Sequence, residues 1–434
     1  MKDIRFKTYE NSLLKEKYYK YTHICGLDIY VFPKKLSSTY AILGTRYGSI
    51  DNCFGITDKE GLISVPDGIA HFLEHKLFAN EDGSDSFEHF SAFGADANAY
   101  TDYDKTAYLF SCTDNFSESL TELIEFVTHP YFTEEAIKRE CGIIAQEIKM
   151  YEDNPAESCY CGMLGGLYGH HSIRKNICGT LESISKITPE LLYECYRVFY
   201  NPSNMALIVC GDVELADVIK IADKHLPKEA TSADIIRSSQ NALEAPSVFS
   251  SRVSKKMKVA KPLFNIGIKD IEIPHDPKER QKKDVGMSIL NEILFSRSGV
   301  LYTELFESGL ISPDISYCYT INSSFAFNSI SGKADDPETV IKRISQHIKD
   351  SLITGISRED FERGKRVIYA EFIKEFDSTE GIANNLLSFT FDSFDIFEYI
   401  DVISDIDFEY VSNLFSRAFK DEFFTMSVVY PIDQ

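Results

Sequence analysis

The sequence lacks the features that would mark a membrane protein or a nucleic-acid-binding protein. No stretch of eighteen apolar residues occurs, so no membrane-spanning helix is expected. Basic residues are scarce, since 45 Lys and Arg stand against 67 Asp and Glu, a net charge of −22 at pH 7. Proteins that bind phosphate backbones carry a basic surface, so we expect no nucleic-acid partner. The first seven residues contain no apolar core, which predicts a cytoplasmic protein rather than a secreted one.

The pattern of cysteines does not indicate a disulfide framework. Nine of the ten cysteines precede residue 211, at irregular spacings, and nothing marks a secreted scaffold. We therefore expect reduced and mostly buried thiols. Cys159 and Cys161 could form half of a metal site, but no matching Cys or His pair lies near them in the sequence. The adjacent His170 and His171 point different ways on any regular element, so we do not expect them to share a metal.

The chain contains enough apolar sequence for two folded domains. It has 434 residues, 44% of them hydrophobic and 13% aromatic, and a single core rarely extends over that length. Residues 229–257 are polar and lack periodicity, which predicts a linker between a first domain, 1–228, and a second domain, 258–434. Strand-like and helix-like patterns occur on both sides. The predicted strands cover residues 29–32, 40–46, 262–268 and 424–430, and the predicted helices cover 116–127, 284–295 and 337–352.

The most informative string is His71-Phe72-Leu73-Glu74-His75. Apolar residues recur at every fourth position from residue 69 to residue 77, which predicts a helix with a buried stripe, and Asp67 is the expected N-cap. On such a helix His71, Glu74 and His75 share one face. Two imidazoles can then hold one metal ion with a carboxylate beside it, as in the inverted His-x-x-Glu-His signature of zinc hydrolases. Two buried histidines with ordinary hydrogen-bond partners are the alternative.

A second predicted helix, residues 133–155, supplies two further carboxylates. Thr133 is a good N-cap, and Asn154 with the proline after it ends the pattern. Glu140 and Glu147 are seven residues apart, so they lie on nearly the same face, with Ile144 between them. A catalytic zinc takes three protein ligands, and one such carboxylate would complete the pair of histidines. Solvated glutamates on an exposed face are the alternative.

These motifs resemble those of the pitrilysin family, which includes insulin-degrading enzyme and the mitochondrial processing peptidase. That family pairs His-x-x-Glu-His with a later glutamate and with a second glutamate seven residues before that one, and here Glu147 follows His75 by 72 positions. The resemblance implies a zinc-dependent endopeptidase that holds one Zn²⁺ per chain through His71, His75 and Glu147, with Glu74 as catalytic base. Glu140 would support the ligands from outside. Further matching blocks are Phe93 to Thr101, Thr106 to Phe110, Ile177 to Thr180 and Tyr200 to Met205.

The resemblance, strongest to bacterial members made of a single module, also implies the fold and a substrate strand. The expected fold is α+β, with two similar halves that are each a mainly antiparallel sheet packed with helices, together half of a clamshell. Residues 98–101 and 106–110 read as a hairpin. The family would use Asn98, Ala99 and Tyr100 to bind an extended peptide by main-chain hydrogen bonds. An ordinary internal hairpin is the alternative.

The second half lacks a pair of residues that complete members of the family place opposite the zinc. Those enzymes have an arginine and a tyrosine seven residues apart, which help to hold the substrate. The corresponding segment here, residues 301–311, has no arginine, and Tyr317 follows too late. We therefore expect a second homologous chain to supply the pair in a heterodimer, and a homodimer is the next possibility. The alternative function is a structural or assembly subunit that keeps the fold without turnover.

Overall fold

The computed structural model describes residues 6–56, 61–230, 235–238, 244–313 and 315–432. The chain forms two compact units, and neither of them is continuous in sequence. The first unit contains Met1–Ile148, Asn176–Ser239 and Glu375–Phe397. The second unit contains Lys149–Lys175, Gln240–Lys374 and Glu398–Gln434.

The first unit is built on a seven-stranded sheet. Its strands, in spatial order, are β1 (Lys7–Asn11), β2 (Glu16–Thr22), β3 (Asp28–Pro33), β9 (Met205–Gly211), β4 (Thr39–Thr45), β8 (Thr106–Cys112) and β7 (Asp96–Thr101). The pair β3 and β9 is parallel, and all other neighbours are antiparallel. Every residue of β9 is buried, as expected for a central strand that is covered on both faces. A smaller sheet joins β10 (Ile235–Arg237), β5 (Cys53–Ile56) and β6 (Ile63–Ser64).

The helices of the first unit are amphipathic and pack on these strands. The helix α3, for example, buries Leu120, Leu123 and Ile124 and contacts β4 and β8. The full set is α1 (Ile69–Leu77), α2 (Ser86–Phe93), α3 (Phe116–Thr128), α4 (Glu134–Asp153), α6 (Leu181–Ile184), α7 (Pro189–Phe199), α8 (Leu215–His225) and α13 (Thr379–Phe391). The helices predicted over residues 116–127 and 133–155 correspond to α3 and α4.

The second unit contains a five-stranded sheet and its own helices. The strands, in spatial order, are β11 (Arg252–Met257), β15 (Phe424–Pro431), β12 (Leu263–Lys269), β14 (Ala326–Lys333) and β13 (Ser316–Ile321). The helices are α5 (Pro155–Leu167), α9 (Pro277–Phe295), α10 (Val300–Glu307), α11 (Pro337–Thr354), α12 (Arg358–Glu375), α14 (Ile396–Asp405) and α15 (Phe408–Ala418).

The two sheets share one topology, which confirms the predicted α+β fold with two similar halves. The order β3-β9-β4-β8-β7 in the first unit matches β11-β15-β12-β14-β13 in the second. The first pair of each series is parallel, and the other three pairs of each series are antiparallel. The first unit adds β1 and β2 outside β3. Each half of the sequence therefore contributes the same five-stranded arrangement.

Each unit takes in one helix from the other half of the sequence. The helix α5, from the first half, packs on β12 and β15, and α13, from the second half, packs on β4 and β9. A glycine on the receiving strand makes room in both cases. A Cβ at Gly44 of β4 would lie 2.8 Å from Leu387, and a Cβ at Gly267 of β12 would lie 2.7 Å from Met163. Any larger residue at these two positions would push the helix away from its sheet.

The segment predicted to be a linker contains two strands, although residues 231–234 and 239–243 of it lie outside the described residues. Within residues 229–257, β10 pairs with β5 and β11 forms the edge of the second sheet. Four of the six side chains of β11 are exposed, which explains why its sequence carries lysines rather than an apolar pattern. The domains predicted for residues 1–228 and 258–434 are the two halves of the sequence, and their boundaries stay a prediction. Each compact unit, in contrast, contains segments from both halves.

The thiols match the expectation drawn from their spacing. All ten cysteines are free, and six of them are buried. Among the described residues, no helix is both long enough and apolar enough to cross a membrane.

Candidate metal centre

The helix that carries the histidines begins at a backbone position that only glycine tolerates. Gly68 is the N-cap of α1 and has φ +89°, and a Cβ there would lie 2.4 Å from the carbonyl oxygen of Cys178. The prediction that Asp67 is the N-cap was wrong. The Asp67 side chain is engaged elsewhere, because it accepts a hydrogen bond from Asn52 Nδ2 at 2.6 Å, and no side chain caps α1.

The buried stripe of α1 presents the polar side chains at a fixed orientation. Ile69, Leu73 and Leu77 are each no more than 2% exposed, as the spacing predicted. His71 and Glu74 are three positions apart, so they share one face of the helix. Both side chains are largely buried, at 7% exposure each.

The second helix, α4, brings its carboxylates to the same place. Ile137, Ile144 and Ile148 are buried and seat the helix, and Thr133 Oγ1 accepts the backbone N–H of Ala136 at 3.2 Å, which confirms Thr133 as the cap. The turn at Asn154 that ends α4 also begins α5, since its side chain accepts the first backbone N–H groups of that helix.

His71, His75 and Glu147 come together at one point. His71 Nε2 lies 3.6 Å from Glu147 Oε1, and His75 Nε2 lies 3.5 Å from Glu147 Oε2. One ligand atom from each residue lies within 4.8 Å of the others, and among the described residues this is the group that could hold a metal ion. Two imidazole nitrogens and a carboxylate oxygen suit a divalent transition metal such as zinc.

Glu140 supports this cluster from outside. Its Oε1 lies 3.1 Å from His75 Nδ1, and its Oε2 accepts a hydrogen bond from Lys76 Nζ at 3.3 Å. Burial alone would raise the pKa of Glu140, but the hydrogen bond with His75 and the charge of Lys76 outweigh it and lower the pKa. An ionised Glu140 holds the proton of His75 on Nδ1, which leaves Nε2 free to bind a metal.

Glu74 lies beside the cluster without belonging to it. Burial raises its pKa, although His71 and the hydroxyl of Thr101 work in the opposite direction. Thr101 Oγ1 donates a hydrogen bond to Glu74 Oε2 at 2.5 Å. A buried carboxylate that is held by a hydrogen bond beside the possible ligands has the position expected for a base.

The predicted substrate strand is at the edge of its sheet. The hairpin between β7 and β8 is confirmed, and β7 is the last strand in the order of the first sheet. Asn98 Oδ1 accepts the backbone N–H of Ala99 at 2.9 Å, and Tyr100 Oη donates to Asn384 Oδ1 at 3.4 Å. The roles of Asn98, Ala99 and Tyr100 stay predictions.

Sequence reasoning missed three residues at the centre. Thr101 was assigned to the strand but not to Glu74, and Cys178, whose Sγ lies 3.9 Å from His71 Nε2, gave no local signal. Lys76 did give one. It stands seven positions after Ile69 and three after Leu73, on the buried side of the helix, where a charged residue needs a partner.

Of the two adjacent histidines of the second unit, His171 is buried and hydrogen-bonded to the backbone. His171 is 2% exposed, and its Nδ1 accepts the backbone N–H of Ile173 at 3.1 Å, so this nitrogen carries no proton. Burial lowers the pKa of His171 to about 4, Glu244 opposes that shift, and Lys269 adds to it. His170 is exposed, so the two adjacent side chains lie in different surroundings.

We expect acid to destabilise the protein through His171. The folded-state pKa of about 4 lies below the ordinary value of 6.5, so the unfolded chain binds the extra proton between these values. Stability is therefore lost as the pH falls from 6.5 to 4, by on the order of 3 kcal/mol at 1.4 kcal/mol per pKa unit. Thermal unfolding of His171→Gln across this range should show a flatter pH dependence than wild type. The matched control His170→Gln should keep the wild-type slope, and a His171→Gln slope equal to that of wild type would contradict the assignment.

Comparison with known proteins agrees with the motifs and the fold. The family described as Insulinase (Peptidase family M16) matches residues 65–172, and the family described as Peptidase M16 inactive domain matches residues 186–368. A Bacillus subtilis protein described as the uncharacterized zinc protease YmfH is 39% identical over 428 residues, which cover 98% of this chain and 99% of that protein.

Solved structures show the same fold. An M16-like peptidase from Alicyclobacillus acidocaldarius is 30% identical and superposes with a TM-score of 0.91 over 99% of both chains. A protease from Helicobacter pylori is 19% identical and superposes with a TM-score of 0.81 over 96% of this chain and all of that one, which speaks for the fold alone. The extent of these matches shows that the chain belongs to peptidase family M16, the pitrilysin-like family that its motifs resemble.

Proposed function

We propose that this chain is a zinc-dependent endopeptidase, or the zinc-bearing subunit of one, that acts on peptides or unfolded segments. The observation that supports this best is the meeting of His71, His75 and Glu147 at one point with Glu74 beside them. A structural subunit would have no use for a buried cluster of titratable groups, because burying unpaired charge destabilises a fold. The description of YmfH as a zinc protease is consistent with the proposal.

Each residue of the centre has one task in the proposed reaction. Zinc, when bound by His71, His75 and Glu147, supplies a Lewis acid that activates water and the peptide carbonyl. Glu74 takes a proton from the attacking water and later gives it to the leaving amine. Thr101 holds Oε2 of Glu74, which leaves Oε1 to exchange the proton. The raised pKa of Glu74 favours this exchange, since a base works best when its pKa lies nearer to the operating pH.

The edge strand β7 offers a way to hold the substrate. A peptide that adds to this strand makes main-chain hydrogen bonds, which depend little on its sequence. Thr101 at the end of β7 touches Glu74, so a peptide along this strand would run towards the base. We propose that Asn98, Ala99 and Tyr100 bind substrate in this way.

We further propose that a homologous second chain completes the site. The segment 301–311 contains no arginine, and the tyrosine that follows it is already engaged. Tyr317 Oη donates to Glu292 Oε2 at 2.8 Å, and Arg363 donates to the other oxygen of the same carboxylate at 2.9 Å. An arginine and tyrosine for the substrate would then come from a partner in a heterodimer, with a homodimer as the second possibility. The cytoplasmic location stays a prediction.

Cleavage of a mixed library of quenched peptides tests the proposal. The purified chain is assayed alone and together with a homologous chain that carries the arginine and tyrosine. We expect zinc-dependent cleavage that a chelator abolishes and zinc restores, and much faster turnover in the mixture. Activity of the chain alone would indicate a self-sufficient oligomer. Zinc-loaded protein without cleavage in either sample would favour the structural or assembly subunit.

A further inference from the structure

The residue after the second histidine is a lysine that is almost completely buried. Lys76 is 1% exposed and lies on α1, next to His75 in sequence. An ammonium group in such a place destabilises the fold unless a countercharge accompanies it. In the described part of the chain its ion pair is with Glu140, at 3.3 Å, whose side chain is itself only 10% exposed.

Lys76 is the first link in a chain of contacts that ends at the metal-binding atoms. Lys76 Nζ contacts Glu140 Oε2, Glu140 Oε1 contacts His75 Nδ1, and His75 Nε2 faces Glu147. The two oxygens of Glu140 thus have one partner each. If the carboxylate turned, it would lose one of them, so Lys76 restricts the orientation that Glu140 can impose on the imidazole.

The charges of the centre also account for this lysine. In their ionised forms Glu74, Glu140 and Glu147 carry three negative charges, while the two imidazoles that bind a metal are neutral. A divalent ion and the Lys76 ammonium together balance these charges. Without the lysine, the buried centre would keep one uncompensated negative charge, which a low-dielectric environment disfavours.

We propose that Lys76 is a positioning residue for the metal, because it fixes Glu140 in the orientation that directs His75 Nε2 towards the ion. This inference rests on the proposed function, since it takes zinc as the ion that the centre holds. Lys76 does not touch the metal or the substrate and acts only through Glu140 and His75. A purely structural lysine would affect stability alone, because removing one partner of a buried ion pair destabilises a fold without changing the metal ligands.

The test compares zinc affinity in Lys76→Met, Glu140→Gln and the double variant, by competition with a chromophoric chelator. Loss of a side chain that supports a ligand without binding the metal itself typically weakens metal binding by about 10-fold to 100-fold. We expect Lys76→Met to weaken zinc binding by at least about 10-fold. Glu140→Gln should lose at least as much, and the double variant should lose no more than Glu140→Gln alone. The visible spectrum of the cobalt-substituted protein should change in Lys76→Met, since the ligand field at His75 changes.

A matched control is Lys283→Met. Lys283 is also buried, at 4% exposure, and pairs at 2.7 Å with Asp270 in the second unit. This variant should keep wild-type zinc affinity. Because Lys76→Met alone leaves the buried carboxylate of Glu140 without its countercharge, metal-free Lys76→Met should melt below wild type, and the double variant should melt above Lys76→Met.

Three results would overturn the inference. They are zinc affinity and cobalt spectrum in Lys76→Met equal to wild type, an equal loss of affinity in Lys283→Met, and a larger loss of affinity in the double variant than in Glu140→Gln alone. The proposed function is judged separately, from zinc binding and cleavage by the wild-type chain, so wild-type protein that binds zinc and cleaves nothing contradicts that proposal alone.

Discussion

Replacing Glu74 with glutamine is expected to slow peptide cleavage by about a thousandfold while zinc stays bound. The amide keeps the size of the side chain but cannot accept a proton from water. Glu74 lies outside the group of possible ligands, so the metal site itself is left intact. The measurement is kcat on a quenched peptide, with metal content determined on the same sample.

The control for this prediction is Thr101→Val, which removes the hydroxyl that holds Glu74 but leaves the carboxylate in place. Losing this one hydrogen bond to a charged group should slow cleavage about tenfold, equivalent to roughly 1.4 kcal/mol. A Glu74→Gln variant that cleaves peptides at near the wild-type rate would rule out Glu74 as the base. Loss of zinc from Glu74→Gln would indicate that the glutamate binds the metal instead.

Replacing Glu147 with glutamine is expected to lower zinc affinity by more than about a hundredfold. Loss of a residue that only supports a ligand already weakens metal binding by about 10-fold to 100-fold, and Glu147 is a proposed ligand itself. The Nε2 atoms of His71 and His75 both face the carboxylate of Glu147, which supplies the negative charge of the ligand set. Activity should fall with the zinc content and recover in part when excess zinc is supplied. Chelator competition measures the affinity directly.

A neighbouring glutamate on the same helix serves as the control for Glu147. Glu135 is exposed in the first turn of α4, so Glu135→Gln should bind zinc as wild type does. The expected order of zinc affinity is wild type and Glu135→Gln first, then Glu140→Gln, and Glu147→Gln last. Equal affinities in Glu147→Gln and wild type would mean that a different residue completes the site.

The ligand geometry could be predicted because its causes are local. Residues three, four and seven positions apart on a helix share a face, so the strings around His71 and Glu140 were enough to expect two clusters of polar side chains. That the two helices meet came from the family resemblance rather than from the spacing. The start of α1 could not be foreseen, since the segment at Cys178 that approaches Gly68 lies more than a hundred residues later in the sequence.

The assignment of helices to sheets could not be read from the sequence. An amphipathic pattern shows that a helix buries one face, but it does not show which sheet covers that face. The helix α5 follows α4 directly and yet belongs to the second unit. Gly44 and Gly267 were the available signals, because a glycine inside a strand indicates the close approach of another element.

The segment before β12 also differs from its prediction. It was interpreted as a linker because its side chains are polar, but it contains the edge strand β11, which exposes most of its side chains and needs few apolar residues. Its place beside β15 became clear from the pairing of the strands.

Anomalous scattering at the zinc absorption edge, from crystals of the wild-type chain grown with zinc, locates the metal directly. We expect one strong peak per chain, within bonding distance of Nε2 of His71, Nε2 of His75 and a carboxylate oxygen of Glu147. A strongest peak at any other group of side chains, or no peak at these three residues in zinc-saturated crystals, would contradict the proposed metal centre.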